Sequence, residues 1–528
     1  MNETILDYDR AFSAGHLASI MPGSLALDYN TSYESILQLR DEVKQLDSIR
    51  VHQSRESLRF EMGRASQKVV DFIGSIAHER DHVRRFLSSS YAFLCDSVRC
   101  QQVRVTAHAI GKLGPENYAK HNKTVHCMLM RESPSESTPN NIGDALCYNL
   151  RLLEQFLGAI TDGMNGNPDA SHFKSIHLGS TSPDDVYLAC PVLLHNNRSL
   201  TRPLLNTRHI LEMFAILEHG NGLSRKACAT EDVQKLLDTM SGEYRQLMGV
   251  WNFAIGNGNV GKITSQQRSA GDLVFDWYRT FPFEFFVAAD LALWPPYFPD
   301  QSVAIADPHS WQDISPASRF VRILERFEQT GLKPTPIPHE SRNERFLQLQ
   351  EELCAHFQWP TPTSLANAWL TKLTTALVTG QSPWLEIDGP STYRLRNAYA
   401  LLRLRCEKPA DLVLNNIDYV QHKIERPPVW IFTEPDGSKR PLPIRRDEPT
   451  LLLPFIMIEL TRHLSSGDRA AMSFQYDRKF REIAVSEYSS VLSQIGQWPG
   501  GLEDQFYDYL VKRVITAQDR IAEILRKT

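Results

Sequence analysis

Three residues within a five-residue stretch could bind a metal ion and take a proton from a water molecule bound to it. His78 and His82 stand four positions apart, and Glu79 directly follows the first of them. In an α-helix, residues four apart project from the same face, so both imidazoles could bind one zinc ion. The adjacent carboxylate could then take a proton from a water molecule whose pKa the zinc lowers to about 7. The pattern therefore predicts a metal site that activates water.

The surrounding residues predict the helix that this chemistry needs, over residues 65–87. At about 100° per residue, apolar side chains gather on one side of that helix. They are Val69, Phe72, Ile73, Ile76 and Val83. His78 and His82 occupy a neighbouring sector, with Glu79 between them. The remaining sector, which we expect to face solvent, carries the charged residues Asp81, Arg84 and Arg85.

A site of this kind needs a third protein ligand and keeps its fourth position open. An extension of the motif does not supply that ligand, since Arg85 and Ser88 stand where a glycine and a third histidine would be required. The best candidate is Glu212, in a helix predicted from about Leu204 to His219. Ala215 lies one turn further on, and its small side chain would let the two helices approach closely. The nearby alternatives are His209, Glu218 and His219.

This arrangement resembles the gluzincin branch of the zincin metallopeptidases. In that family an HExxH motif supplies two ligands and the general base, and a glutamate on a later helix supplies the third ligand. The resemblance implies that His78, His82 and Glu212 bind zinc and that Glu79 is the catalytic base of peptide-bond hydrolysis.

The resemblance covers at most residues 50–220, and the HExxH element is its specific part. Two features depart from the family pattern. The interval between His82 and Glu212 is longer than the compact gluzincin spacing, and Ile216 replaces the usual acidic residue four positions after the third ligand.

Two further parts of a peptidase site can be sought in the sequence. Leu58, Phe60 and Met62 alternate with charged residues, which predicts a strand over 58–62 that could align an extended substrate. A donor for the oxyanion of the transition state is also needed. The sequence leaves four candidates open: Tyr91, His108, His126 and His195.

A glycine-rich segment, Gly256–Lys262, offers a different chemistry. Its glycines and lysine match the start of a phosphate-binding loop. However, Ile263 stands where such a loop needs Ser or Thr to hold magnesium, and Asn-Gly pairs form turns without any ligand. We interpret the segment as a surface turn and keep nucleotide binding as a minor alternative.

Composition limits the class of protein. The chain has 528 residues, of which 42% are hydrophobic and 23% charged, as in globular proteins. Its net charge of -5 is spread along the sequence, so we expect no binding of nucleic acid. No apolar run approaches the roughly 18 residues of a membrane span, and no export signal follows Met1, so we expect neither membrane insertion nor secretion. The eight cysteines form no CxxC pair, which fits a cytoplasmic protein with reduced thiols.

The distribution of elements predicts an α+β, helix-dominated fold. We expect a zincin-like metallopeptidase domain over residues 1–300, a proline-rich connection over 301–340 and a mainly helical C-terminal domain over 341–528. A hairpin is predicted in the last of these, with its first strand at Val429–Phe432 and a turn over residues 434–437.

Together these observations predict a zinc-dependent intracellular peptidase that cleaves protein or peptide substrates with metal-activated water. The C-terminal half would control access to the site or bind a partner protein. One alternative is a helical interaction or regulatory protein without catalytic activity. The other is a nucleotide-binding regulator that uses Gly256–Lys262.

Overall fold

Helices dominate the described part of the chain, which confirms the helix-dominated α+β class. The computed structural model describes residues 18–21, 25–52, 67–94, 96, 190–191, 204–205, 207–225, 247, 251, 255, 281–299, 311–314, 316–338, 340–379, 393–414, 422–445, 448–456, 459–460, 476–495 and 503–527. Within these residues, no helix combines the length and the apolar character needed to cross a membrane.

The helices are α1 (Tyr33–His52), α2 (Gln67–Leu87), α3 (Thr207–Arg225), α4 (Phe283–Ala292), α5 (Trp311–Ile314), α6 (Pro316–Thr330), α7 (Arg342–Phe357), α8 (Pro362–Thr379), α9 (Tyr393–Glu407), α10 (Pro409–Val413), α11 (Arg478–Ile495) and α12 (Glu503–Lys527). The strands are β1 (Ala18–Met21), β2 (Ala26–Tyr29), β3 (Cys190–Pro191), β4 (Leu204–Leu205), β5 (Val429–Thr433) and β6 (Lys439–Pro443).

The two helices predicted to carry the metal ligands are both present. Helix α2 agrees closely with the prediction over 65–87. Helix α3 begins later than predicted, because Leu204 and Leu205 instead pair with β3 in a small antiparallel ladder. The strand predicted at residues 58–62 lies outside the described residues.

One four-stranded sheet joins distant parts of the chain, in the order β1-β2-β5-β6. Strand β2 runs antiparallel to β1 and parallel to β5. Strands β5 and β6 form the predicted hairpin, whose turn uses Gly437 at a positive φ of 80°. The sheet therefore combines strands from both sides of the proline-rich segment, while the predicted domain boundaries themselves stay a prediction.

Helices α2 and α3 pack against each other in opposite directions. Arg85, near the end of α2, lies over the ring of Phe214 near the start of α3. Ala77, earlier in α2, meets Gly222 near the end of α3, where an added Cβ would lie 2.6 Å from the Cβ of Ala77. Only a residue without a side chain fits there, so Gly222 allows the close approach of the two helices.

The end of α2 is fixed to α4 and its following loop. The backbone N–H of Tyr91 donates to the carbonyl of Leu293 at 3.3 Å, and the Ser90 hydroxyl donates to the carbonyl of Pro295 at 2.7 Å. Every residue of α4 is buried, including Asp290, which accepts hydrogen bonds from Gln350 and Arg405. Because α4 is fully buried and Asp290 is hydrogen-bonded within it, this helix supports α2 rigidly.

We predict that Gly222→Ala destabilises the protein by about 1–3 kcal/mol, although alanine is the better helix former. The new methyl group would force α2 and α3 apart, because the Cβ of Ala77 cannot rotate away. Chemical denaturation measures the change in the free energy of unfolding.

The matched control is the double variant Ala77→Gly/Gly222→Ala, which restores the missing space. The cost of Gly222→Ala should be smaller in the Ala77→Gly background than in the native chain. Equal costs in both backgrounds would mean that this contact does not set the helix spacing.

Candidate metal centre

Three side chains from α2 and α3 converge on one point. The Nε2 atom of His78 lies 3.1 Å from Oε2 of Glu212, and Nε2 of His82 lies 3.6 Å from the same oxygen. The two imidazole nitrogens lie 3.1 Å from each other. Helix α2 thus presents two donors one turn apart, and α3 brings a single carboxylate oxygen to both.

These separations are what a small tetrahedral ion requires. Ligand atoms held at about 2.0–2.1 Å from tetrahedral zinc lie roughly 3.3 Å from one another. The ligand atoms of His78, His82 and Glu212 all fall within 4.8 Å of one another, and all three residues are buried. Two imidazoles and one carboxylate are also a donor set that zinc favours. Among the described residues, this is the group whose geometry fits one metal ion.

Burial makes the charge of Glu212 costly unless positive charge faces it. Glu212 is 2% exposed, and His82 is fully buried. Burial by itself raises the pKa of Glu212, but the positive charge and hydrogen bonds of His82 and His78 outweigh it and hold that pKa well below its ordinary value. The carboxylate therefore stays ionised, which is the form that binds a cation.

Glu79 lies in the same buried region, at 2% exposure, but is not one of the three converging donors. It follows His78 directly in α2. Its carboxylate interacts electrostatically with the phenol of Tyr29 in β2. Burial raises the pKa of Tyr29 far above its ordinary value; Arg426 opposes that shift, and Glu79 adds to it. Tyr29 therefore keeps its proton and can donate a hydrogen bond near Glu79.

Aromatic packing fixes Tyr29 at this position. Its ring stacks on Phe432 of β5, with centres 5.4 Å apart and planes 8° apart. On the α2 side it stacks on Phe72, at 6.3 Å. Because Phe72 and Glu79 are seven residues apart in α2, they lie on the same helix face, which directs the Tyr29 ring toward the motif. The sequence contains no signal for this role, since Tyr29 stands in a different element far from the motif.

The other candidates for the third ligand on α3 lie away from the point where His78, His82 and Glu212 converge. Glu218 is fully buried and accepts a hydrogen bond from Arg80 at 2.7 Å. His219 packs edge-on to His78, with ring centres 6.1 Å apart. Neither of them, nor His209, belongs to the converging group. Of the four acidic or histidine candidates on this helix, the structure brings Glu212 to the two histidines of the motif.

The candidate oxyanion donors are only partly described. Tyr91 is buried beside the end of α4, where its backbone N–H is bound to Leu293. His108, His126 and His195 lie outside the described residues, as does the segment Gly256–Lys262. Their predicted roles stay predictions.

The expectation of a solvated sector on α2 was wrong. Asp81, Arg84 and Arg85 are buried, and the Asp81 carboxylate pairs with both guanidinium groups. Arg85 also donates to the carbonyl of Val413 at 3.1 Å and lies 3.7 Å over the Phe214 ring. Helical periodicity could not reveal this, because the covering residues come from parts of the chain that are remote in sequence.

Comparisons with protein-family models, with curated proteins and with solved structures found no match for this chain. The site is therefore defined by its geometry and by the chemistry of its donor atoms.

We predict that the purified protein binds about one zinc ion per chain and loses it in His78→Ala and in Glu212→Gln, because each change removes one of three donors. Elemental analysis by mass spectrometry after dialysis measures the metal content. The matched control is Glu218→Gln, which neutralises another buried carboxylate of α3 and should keep the zinc. Retention of zinc by Glu212→Gln would exclude Glu212 as a ligand.

We further predict that Asp81→Asn destabilises the protein by about 3–5 kcal/mol, because the buried Arg84 and Arg85 would lose the carboxylate charge that pairs with both of them. The free energy of unfolding from denaturant titration tests this. As a control, Glu407→Gln removes an exposed ion pair with Arg403 and should change stability little. Similar small effects of both changes would show that the Asp81 cluster does not support α2.

Proposed function

We propose that this protein is a zinc-dependent hydrolase and, more specifically, a metallopeptidase. The observation that carries the proposal is the convergence of His78, His82 and Glu212 at ligand spacing, with Glu79 next to the first ligand. A buried site with three protein donors leaves room for water at a fourth position, which is the arrangement of catalytic rather than structural zinc sites.

Each residue has a distinct part in the proposed reaction. Zinc, when bound, polarises the substrate carbonyl and makes water more acidic. Glu79 takes the proton from the attacking water and delivers it to the leaving amine. Tyr29, which keeps its proton, can hold the Glu79 carboxylate or the substrate through its hydroxyl group. The three ligand residues are held in place by the close packing of α2 on α3, which Gly222 allows.

We extend the proposal to a zincin-like arrangement around the site. Two features support it: a helix with the HExxH pattern faces a later helix with the third donor, and strands β1 and β2 lie beside the first helix. The resemblance rests on this local arrangement, and the long interval between the two helices departs from the compact members of the family.

The burial of the site restricts the size of the substrates that could reach it. His78, Glu79, His82 and Glu212 are each no more than 4% exposed. A folded protein surface could not touch residues at this depth, so the substrate has to be a segment thin enough to reach them. We therefore propose flexible peptide segments of intracellular proteins as the substrate class, with the residues beyond 341 helping to control access.

The test is the variant Glu79→Gln. We predict that it keeps zinc but lowers peptide cleavage by about 10²–10⁴-fold, because an amide cannot accept the proton of water. Mass spectrometry of a mixed peptide library incubated with the zinc-loaded protein measures cleavage. Zinc content is determined in parallel.

Glu218→Gln is again the control, since it alters a buried carboxylate that pairs with Arg80 and should leave cleavage unchanged. Cleavage by Glu79→Gln at the native rate would exclude the proposed base. Native protein that binds zinc but cleaves no peptide would favour the alternative of a regulatory protein with a metal site.

A further inference from the structure

We propose that Arg426 determines substrate specificity at this site by binding a carboxylate group of the peptide. This inference rests on the proposed function and narrows its substrate class to peptide segments that carry such a group. The carboxylate can belong to an acidic side chain or to the C-terminus of a chain, and the experiment distinguishes these two sources.

Arg426 lies in a segment that the fold holds on both sides. Before it, the backbone N–H of Glu425 donates to Oδ1 of Asn397 in α9 at 2.8 Å. After it, the carbonyl of Pro428 accepts a hydrogen bond from the backbone N–H of Ile444 at 3.0 Å. Two prolines follow Arg426 directly and restrict the backbone further. Its side chain therefore projects from a fixed place.

This segment leads directly to the aromatic residues around Tyr29. Trp430, four residues after Arg426, packs edge-on to the Tyr29 ring, with centres 5.8 Å apart. The Arg426 guanidinium and the Glu79 carboxylate both interact electrostatically with the Tyr29 phenol, in opposite directions. The cation and the proposed catalytic base therefore lie near the same buried phenol.

Exposure distinguishes Arg426 from the other members of this group. Glu79 is 2% exposed and Tyr29 is 1% exposed, whereas Arg426 is exposed to solvent. Arg426 thus forms the solvent side of the group, where a peptide arriving from solution would meet it first. An anion needs no separate pocket there, because the exposed guanidinium already borders on solvent.

The fold itself does not use the charge of Arg426. Among the described residues it has no ion-pair partner. The neighbouring Glu425 instead faces Arg396 of α9 at 3.5 Å. Arg80 of α2, by contrast, is held by Glu218 at 2.7 Å. Arg426 is therefore available to bind an anion from outside the chain.

A carboxylate is the peptide group that this arrangement favours. The guanidinium donors match the two oxygens of a carboxylate, and such a pair is stronger than a hydrogen bond between neutral groups. The buried carboxylates of Glu79 and Glu212 would repel a negatively charged segment that approached the site. A cation on the solvent side offsets this repulsion, so acidic segments gain more from Arg426 than their amide counterparts do.

The experiment measures the binding of short fluorescent peptides of randomised sequence to the full chain in its zinc-loaded Glu79→Gln form, which should hold peptides without cleaving them. One pair of peptide pools has free or amidated C-termini. In the other pair, which is amidated, glutamate or glutamine occupies each position in turn. Fluorescence anisotropy gives the dissociation constants. We expect about tenfold tighter binding of the carboxylate member in one pair, which identifies the source.

Three further variants, made in the same Glu79→Gln background, test the residue. Arg426→Gln should remove the preference, so that both members of the pair bind equally. Arg426→Lys keeps the charge but loses the paired donors, and should retain part of the preference. The matched control is Lys423→Gln, which removes another exposed cation of the same segment and should leave the preference intact. Zinc content and circular dichroism verify that each variant keeps its metal and its fold.

The outcomes separate this inference from the proposed function. A preference that persists in Arg426→Gln, or that Lys423→Gln removes equally, would overturn the role of Arg426. Equal binding of carboxylate and amide members before any change at Arg426 would overturn it as well. The proposed function fails instead if the native chain takes up no zinc or cleaves no peptide. Absence of binding by every peptide pool would overturn both.

Discussion

The close packing of α2 on α3 is the constraint on which the site depends. One carboxylate oxygen of Glu212 has to reach two imidazoles that stand a helical turn apart on the other helix. That is possible only when the helix axes are near each other, and Gly222 allows this approach because a side chain there would clash with the Cβ of Ala77. Gly74 leaves room on α2 for the end of the His219 ring. A larger residue at position 222 would push the helices apart and move Glu212 away from the two histidines.

Several charged side chains are buried in and beside the interface between α2 and α3. Glu212 faces two histidines, Glu218 faces Arg80, and Asp81 faces two arginines of its own helix. Each carboxylate would be costly to bury alone, so each alternative packing that broke one of these pairs would be strongly disfavoured. Paired charges of this kind contribute little net stability, but the pairing of Glu212 with two histidines of the other helix specifies one relative position of α2 and α3 at the site. A metal ion held by three donors requires such a fixed position.

The site also depends on chain segments that are distant in sequence. Strand β2 brings Tyr29 next to Glu79, and β2 is held in the sheet by β5, about four hundred residues later. The carbonyl of Val413 accepts a hydrogen bond from Arg85 at the end of α2. Asp96, which follows the same helix, pairs with Arg394 of α9 at 2.8 Å. The C-terminal part of the chain therefore contributes directly to the support of α2, whatever further role it has.

The sequence by itself determined the local features. Apolar periodicity predicted α2, the four-residue spacing placed His78 and His82 on one face, and Glu212 was identified as the best partner on a second helix. It did not determine the burial of Asp81, the place of Tyr29, the role of Gly74 or the start of α3. Spacing within a helix fixes which side chains share a face, because the geometry of the helix is regular. Which faces are covered, and by what, depends on contacts between segments far apart in the chain, and only the tertiary structure decided those.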